Sequence, residues 1–153
     1  MTMSESCEPR LTHRVAVTAY IFSGNRVLLL HRVNEPKIWG PPGGRLQLEE
    51  DPRLGVSREI FEETGLEIDF LGVVDIWFGS HGGGKLVSID YLARSSKTEV
   101  VLSEEHSDYR WASLEDLKNG NPPLAQREPA FLLKDFEKAF QLHDILGEKF
   151  RKT

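Results

Sequence analysis

Glu59, Glu62 and Glu63 are spaced so that one helix surface would hold all three carboxylates. Glu59 and Glu62 are three positions apart and Glu59 and Glu63 four apart, the separations at which helical side chains become neighbours. On a wheel at about 100° per residue, Leu54, Val56, Ile60 and Phe61 fall on one half, with Ser57 among them. The three glutamates fall on the other, with Arg58 at its edge and Gly55 leaving room for a bound group. Acidic helix faces are usually only solvated. Here, however, three glutamates near a helix C-terminus oppose one another and the macrodipole, and no lysine follows four residues on. What such a stripe supplies is several oxygen ligands for a hard divalent cation. The segment has no histidine or cysteine, which favours Mg²⁺ over zinc.

The elements that must position this stripe are marked by local signals. Asp51 is a plausible N-cap, Pro52 suits the first helical position, and Gly65 is placed to end the helix. Before it, Val15 to Phe22 and Val27 to Leu30 flank the turn signal Ser23-Gly24-Asn25 and read as paired strands. Between them and the helix, Trp39 to Gly44 reads WGPPGG, which predicts a shaped loop and neither helix nor central strand. Leu71 to Phe78 and Leu86 to Ala93 predict two further strands around Gly82-Gly83-Gly84. In the second, Val87, Ile89, Tyr91 and Ala93 alternate with Ser88, Asp90 and Leu92, so that one face packs. Tyr109 to Ala112 reads as a short strand. A helix from Ser113 to Lys118 carries a capping-box pattern, Ser113 with Asp116, and stops at Gly120. A last helix opens at Pro129 and bears Phe131, Leu132, Phe136, Phe140, Leu142 and Leu146. This order predicts an α/β fold with a mixed sheet covered by helices, and no regular βαβ repeat.

The chain of 153 residues fits one domain, read as residues 13–153 after a flexible start at 1–12. A net charge of −5 argues against nucleic acid as the partner. No apolar run suggests a membrane span or signal peptide, and the single cysteine, Cys7, makes a reducing cytoplasm the expected location.

From Gly44 the pattern continues with Glu50, Arg58-Glu59-Ile60, Glu62-Glu63 and Gly65-Leu66. It resembles a complete Nudix box, and the chain is similar to MutT-like hydrolases of the Nudix family. Seven fixed identities would coincide by chance roughly once in 10⁸ start positions. The resemblance implies a Nudix-type α/β/α sandwich with a mixed β-sheet, and hydrolysis of a nucleoside diphosphate linked to another group, with Mg²⁺ or Mn²⁺. Metal ions serve such a reaction by neutralising charge on the phosphate oxygens and lowering the pKa of a bound water.

The same resemblance makes Glu59 and Glu63 metal ligands and Glu62 a ligand or a water-held neighbour. It adds the Gly44 carbonyl to the metal site and gives Arg58 the task of orienting the carboxylates, braced by Glu50. The further glutamate of MutT-like members corresponds to Glu105, six residues before Trp111, in preference to Glu104. The general base remains open among Glu59, Glu104 and Glu105. Arg32, Lys37 and Arg45 are candidate phosphate contacts, and Trp39 is the first candidate for stacking on a base. Gln126 or Arg127 stands where MutT-like proteins carry a base-reading asparagine, so the resemblance does not extend to oxidised guanine. The expected partner is a small nucleotide or nucleotide sugar, and a homodimer is compatible with the family. A nucleotide-sensing domain without turnover is the alternative, disfavoured because every box glutamate is present.

Overall fold

The structure, a computed structural model, describes residues 11–151. Residues 1–10 and 152–153, and with them Cys7 and most of the start expected to be flexible, lie outside the described residues. β1 (Arg14–Ser23) is the centre of the molecule. Its run from Val15 to Phe22, apolar apart from Thr18 and the Tyr20 hydroxyl, is explained by burial on both faces. Val17, Ala19 and Ile21 pack with Val56 and Ile60 of α1 (Pro52–Thr64). Tyr20 and Phe22 pack with Phe136, Ala139 and Phe140 of α3 (Leu133–Arg151). Two helices thus cover opposite faces of one mixed sheet, the sandwich expected from the resemblance.

β1 runs parallel to β6 (Gly84–Arg94) in an unbroken register from Arg14↔Leu86 to Phe22↔Arg94. β6 pairs with the edge strand β5 (Asp69–His81) in a long hairpin whose turn uses Gly82 and Gly83, both at positive φ. On the other side, β1 touches β2 (Arg26–Arg32) only at Phe22↔Val27 and Ser23↔Arg26. Beyond that point the two strands diverge.

The divergence is where the WGPPGG segment departs from the loop expected of it. Trp39–Gly40 forms β3 against β2, and Gly43–Arg45 forms β4 against β1. The prolines sit between these fragments and contribute only a carbonyl, with Ala19 N–H donating to Pro42 O at 3.1 Å. The ladder therefore loses no donor to proline. β7 (His106–Ala112) completes the sheet against β2 and starts three residues earlier than the sequence suggests.

α2 (Leu114–Lys118) carries the expected reciprocal cap, Asp116 N–H to Ser113 Oγ at 3.1 Å and Ser113 N–H to Asp116 Oδ2 at 3.0 Å. α3 starts at Leu133, after the expected Pro129, because Asp135 Oδ2 accepts from Leu132 N–H at 2.8 Å and fixes the helix start there. The preceding Phe131 turns back edge-on to Tyr20. No helix of the described residues is long and apolar enough to cross a membrane.

Candidate active site

α1 is built as its caps predict. Asp51 accepts from Arg53 N–H at 2.8 Å, Pro52 occupies the first turn, and Gly65 at φ 73° donates its N–H back to Phe61 O. Its buried residues are Gly55, Val56, Ile60, Glu63 and Thr64, whereas Leu54 and Phe61 are exposed. The wheel thus misassigns one side of the helix, because α1 packs on β1 and β4 and turns Glu63 inward. Nor does Gly55 leave room for a ligand. A Cβ there would run into Leu46 and lie 2.9 Å from Glu50 Oε1, so the glycine admits this chain's own side chains.

Glu63 is only 3% exposed, a costly place for a carboxylate. Gly43 N–H donates to its Oε2 at 3.2 Å. Burial, reinforced by Glu59 and Glu105, nonetheless pushes its pKa up to about 8. Glu59 lies against Gly44, where a Cβ would come within 2.5 Å of its carboxyl carbon. Burial raises its pKa too, against the opposing pull of Arg58. Glu62 points to solvent.

One cation organises the group. Arg58 grips Glu50 with two parallel bonds, Nε–Oε2 at 2.7 Å and Nη2–Oε1 at 2.9 Å. Its Nη1 reaches Glu59 at 3.1 Å and Glu62 at 3.3 Å. This fork geometry is the strong form of an ion pair. It holds the Glu50 carboxyl at about 2, helped by Gln47 N–H. The Arg58 pKa is raised in return.

The loop before β7 brings a further carboxylate. Ligand atoms of Glu63, Glu105 and His106 all lie within 4.8 Å of one another. The sequence had suggested a site without local histidine. His106 arrives from a distant strand, its pKa lowered chiefly by burial, and its buried Nδ1 has no hydrogen-bond partner among the described residues. These donors fit a hard divalent cation held by carboxylates. An added imidazole nitrogen suits Mn²⁺ better than a wholly oxygen-lined site would.

Two cavities meet at these groups. A cleft of about 330 Å³ is lined by Glu59, Glu62, Glu63, Ser103, Glu104 and Glu105. A larger cavity of about 680 Å³ lies along β1 and β6 and includes both Glu63 and Glu105 in its wall. Arg32 and Arg45, expected at phosphates, line the larger cavity, as does Gly44. Lys37 is exposed and lies outside its lining. Trp39 is elsewhere as well: it is buried in the core beside His31 and under the Arg110 guanidinium. Its backbone pairs with β2, and that fixes the indole away from the cavity. The tryptophan in the wall is Trp77.

The family profile of the NUDIX domain matches residues 12–134. The chain belongs to the Nudix family. This Nudix chain is 30% identical over 148 residues to the human nucleoside diphosphate-linked moiety X motif 6, covering 90% of itself and 47% of that protein. It therefore spans about half the length of that relative. A MutT-like protein of Streptomyces ambofaciens is 27% identical over 113 residues, 74% of this chain and 71% of the relative. The crystal structure of the MutT protein of Methanosarcina mazei Go1 superposes with a TM-score of 0.71 at 25% identity, over 90% of this chain and 99% of that one.

Sequence reasoning gave no role to three residues that the Nudix fold brings to the cavities. They are His106, Ser88 and Asp90. The last two lie on the strand face opposite the one expected to pack, yet both are buried. A charged residue inside an otherwise apolar strand was the available signal.

Proposed function

We propose that this chain is a Mg²⁺- or Mn²⁺-dependent hydrolase that cleaves the diphosphate bond of a nucleoside diphosphate linked to another group. The substrate class is a nucleoside triphosphate or a nucleotide sugar. The observation that carries this reading is that Glu63 and Glu105 are shared by an acidic cleft and a nucleotide-sized cavity. Glu59, Glu63 and Glu105 would hold the cation, with Glu62 at the solvent side and His106 as a nitrogen donor. When bound, the cation neutralises developing negative charge on the phosphate oxygens and acidifies a coordinated water.

The chain's own residues do the rest. Arg58 and Glu50 keep Glu59 in position through their two-bond pairing. The Gly43 N–H and the Pro41–Gly44 bend hold Glu63 against the cavity wall. Arg32 and Arg45 offer positive charge for the phosphates. Glu105 is the better candidate than Glu104 for a loop carboxylate facing the substrate, because Glu105 lines both cavities and Glu104 only the acidic one. The human relative's name, with its nucleoside diphosphate-linked moiety, agrees with this class.

The test is a turnover screen of nucleoside triphosphates, diphosphate sugars, dinucleoside polyphosphates and NADH with Mg²⁺ or Mn²⁺. Phosphate or nucleoside monophosphate release from at least one class is expected. Silence across the panel, with nucleotide binding intact, overturns the hydrolase reading.

A further inference from the structure

The larger cavity has a second polar end that the cation site does not use. Gly43 on β4 pairs with Thr18 on β1, Thr18 with Asp90 on β6, and Asp90 with Asp75 on β5. These residues form one row across the sheet, and Gly43 at its near end bonds Glu63. Asp90 lies two strands along, roughly 10 Å from Gly43 at the usual strand spacing. That is about the reach of a nucleoside from its 5′ oxygen to the far edge of its base.

Asp90 is 4% exposed and lines the cavity. Ser88 Oγ donates to its Oδ1 at 2.7 Å, while Oδ2 has no hydrogen bond among the described residues. The groups around it are of one kind. Asp75 faces it from β5, Asp135 from α3 and Tyr20 from β1, and Lys138 is tied to Asp75 at 3.0 Å. This end repels phosphate, whereas Arg32 and Arg45 at the other wall attract it. Trp77, which pairs across the sheet with Ser88, and Phe131 also line this cavity and offer flat apolar surfaces to a base.

We propose that Asp90, held in place by Ser88, reads the hydrogen-bonding edge of the substrate's nucleobase and sets base preference. This rests on the nucleotide reading above. A buried polar group left unpaired is costly, so a base that pairs with Oδ2 is selected over one that does not. Burial, with Asp75 and Asp135 adding to it, pushes the Asp90 carboxyl up to about 7, and the Ser88 bond opposes this. The outward oxygen is consequently a donor below that pH and an acceptor above it.

The test separates base reading from turnover. Binding of the non-hydrolysable α,β-methylene analogues of GTP, ATP, CTP and UTP is measured by calorimetry with Mg²⁺ at pH 6 and pH 8. Ratios between bases cancel any pH dependence of the metal site common to all four. In the wild type the ranking is expected to shift by about tenfold between the two pH values. Asp90→Asn keeps an acceptor for Ser88 and presents a fixed donor, so its ranking stays at the pH 6 pattern at both. Ser88→Ala, a milder change, narrows the spread between bases. An unchanged, pH-independent ranking in all three proteins overturns the proposal, as does failure of the wild type to bind any analogue. Base-selective binding that responds to Asp90 without any turnover leaves it standing and removes only the hydrolase reading.

Discussion

Replacing Glu63 with glutamine should have opposite effects on stability with and without metal. In the wild type the Glu63 carboxyl rises from 4.5 to about 8 on folding. Between those values the native state binds more protons than the unfolded state, so stability is greatest below the lower pKa and declines as pH rises through the upper one. The full interval of 3.5 units, at 1.36 kcal/mol each, sets a ceiling of about 5 kcal/mol on that decline. Relaxation and water entry reduce what a neutral isostere recovers to ~2 kcal/mol. Glutamine also retains an oxygen for the Gly43 N–H. In EDTA at pH 8, Glu63→Gln is therefore expected to be about 2 kcal/mol more stable than wild type. With Mg²⁺ at a hundred times its dissociation constant, the wild type gains about 2.7 kcal/mol that the variant lacks. Urea denaturation followed by circular dichroism, in EDTA and in saturating Mg²⁺, measures both arms. A variant less stable than wild type in EDTA at pH 8, or one stabilised by Mg²⁺ as much as wild type, would refute the assignment of Glu63 as a buried cation ligand.

Arg58→Ala leaves Glu50, Glu59 and Glu62 without their shared cation, and a loss of about 2 kcal/mol in chemical denaturation is expected. Arg58→Lys restores only part of it, because a point charge cannot form the two-bond grip on Glu50. Gly44→Ala drives a methyl group into the Glu59 carboxyl, lowering kcat by at least roughly tenfold in steady-state assays while the far-ultraviolet spectrum stays unchanged. Gly43→Ala acts on the fold itself, since its Cβ would lie 2.8 Å from Thr18 Cα; a drop in thermal midpoint worth ~2 kcal/mol is expected. Asp51→Ala removes the acceptor for Arg53 N–H and costs about 1 kcal/mol, readable as a lower urea midpoint.

Features set by neighbours in the chain were legible in the sequence. The ends of α1 follow from Asp51, Pro52 and Gly65, and the α2 cap from Ser113 and Asp116, because each is closed by hydrogen bonds spanning a few residues. That Glu59, Glu62 and Glu63 would lie close together was legible too, because their spacing along one helix brings them to a single cleft. What escaped depends on distant partners. WGPPGG becomes two strand fragments only because β1 and β2 part and leave backbone groups to be paired. Phe61 and Leu54 read as core on a wheel, yet the packing of α1 on β4 turns the acidic Glu63 inward and leaves them in solvent. Trp39 and Trp77 have similar sequence credentials, and strand register alone sends one into the core and the other to the cavity wall. His106 and Asp90 reach the cavity wall through pairings with Arg32 and Thr18, residues more than seventy positions away in the chain.

The two cavities share Glu63 and Glu105, and the sharing imposes reciprocity. Any group that occupies the acidic cleft changes the charge presented to the neighbouring cavity, and a polyphosphate in that cavity changes the charge felt in the cleft. On the function proposed above, thermodynamic linkage makes the factor by which a cation tightens nucleotide binding equal to the factor by which the nucleotide tightens cation binding. A nucleotide affinity measured below cation saturation is then a property of the mixture, and it moves with the concentration of its co-ligand.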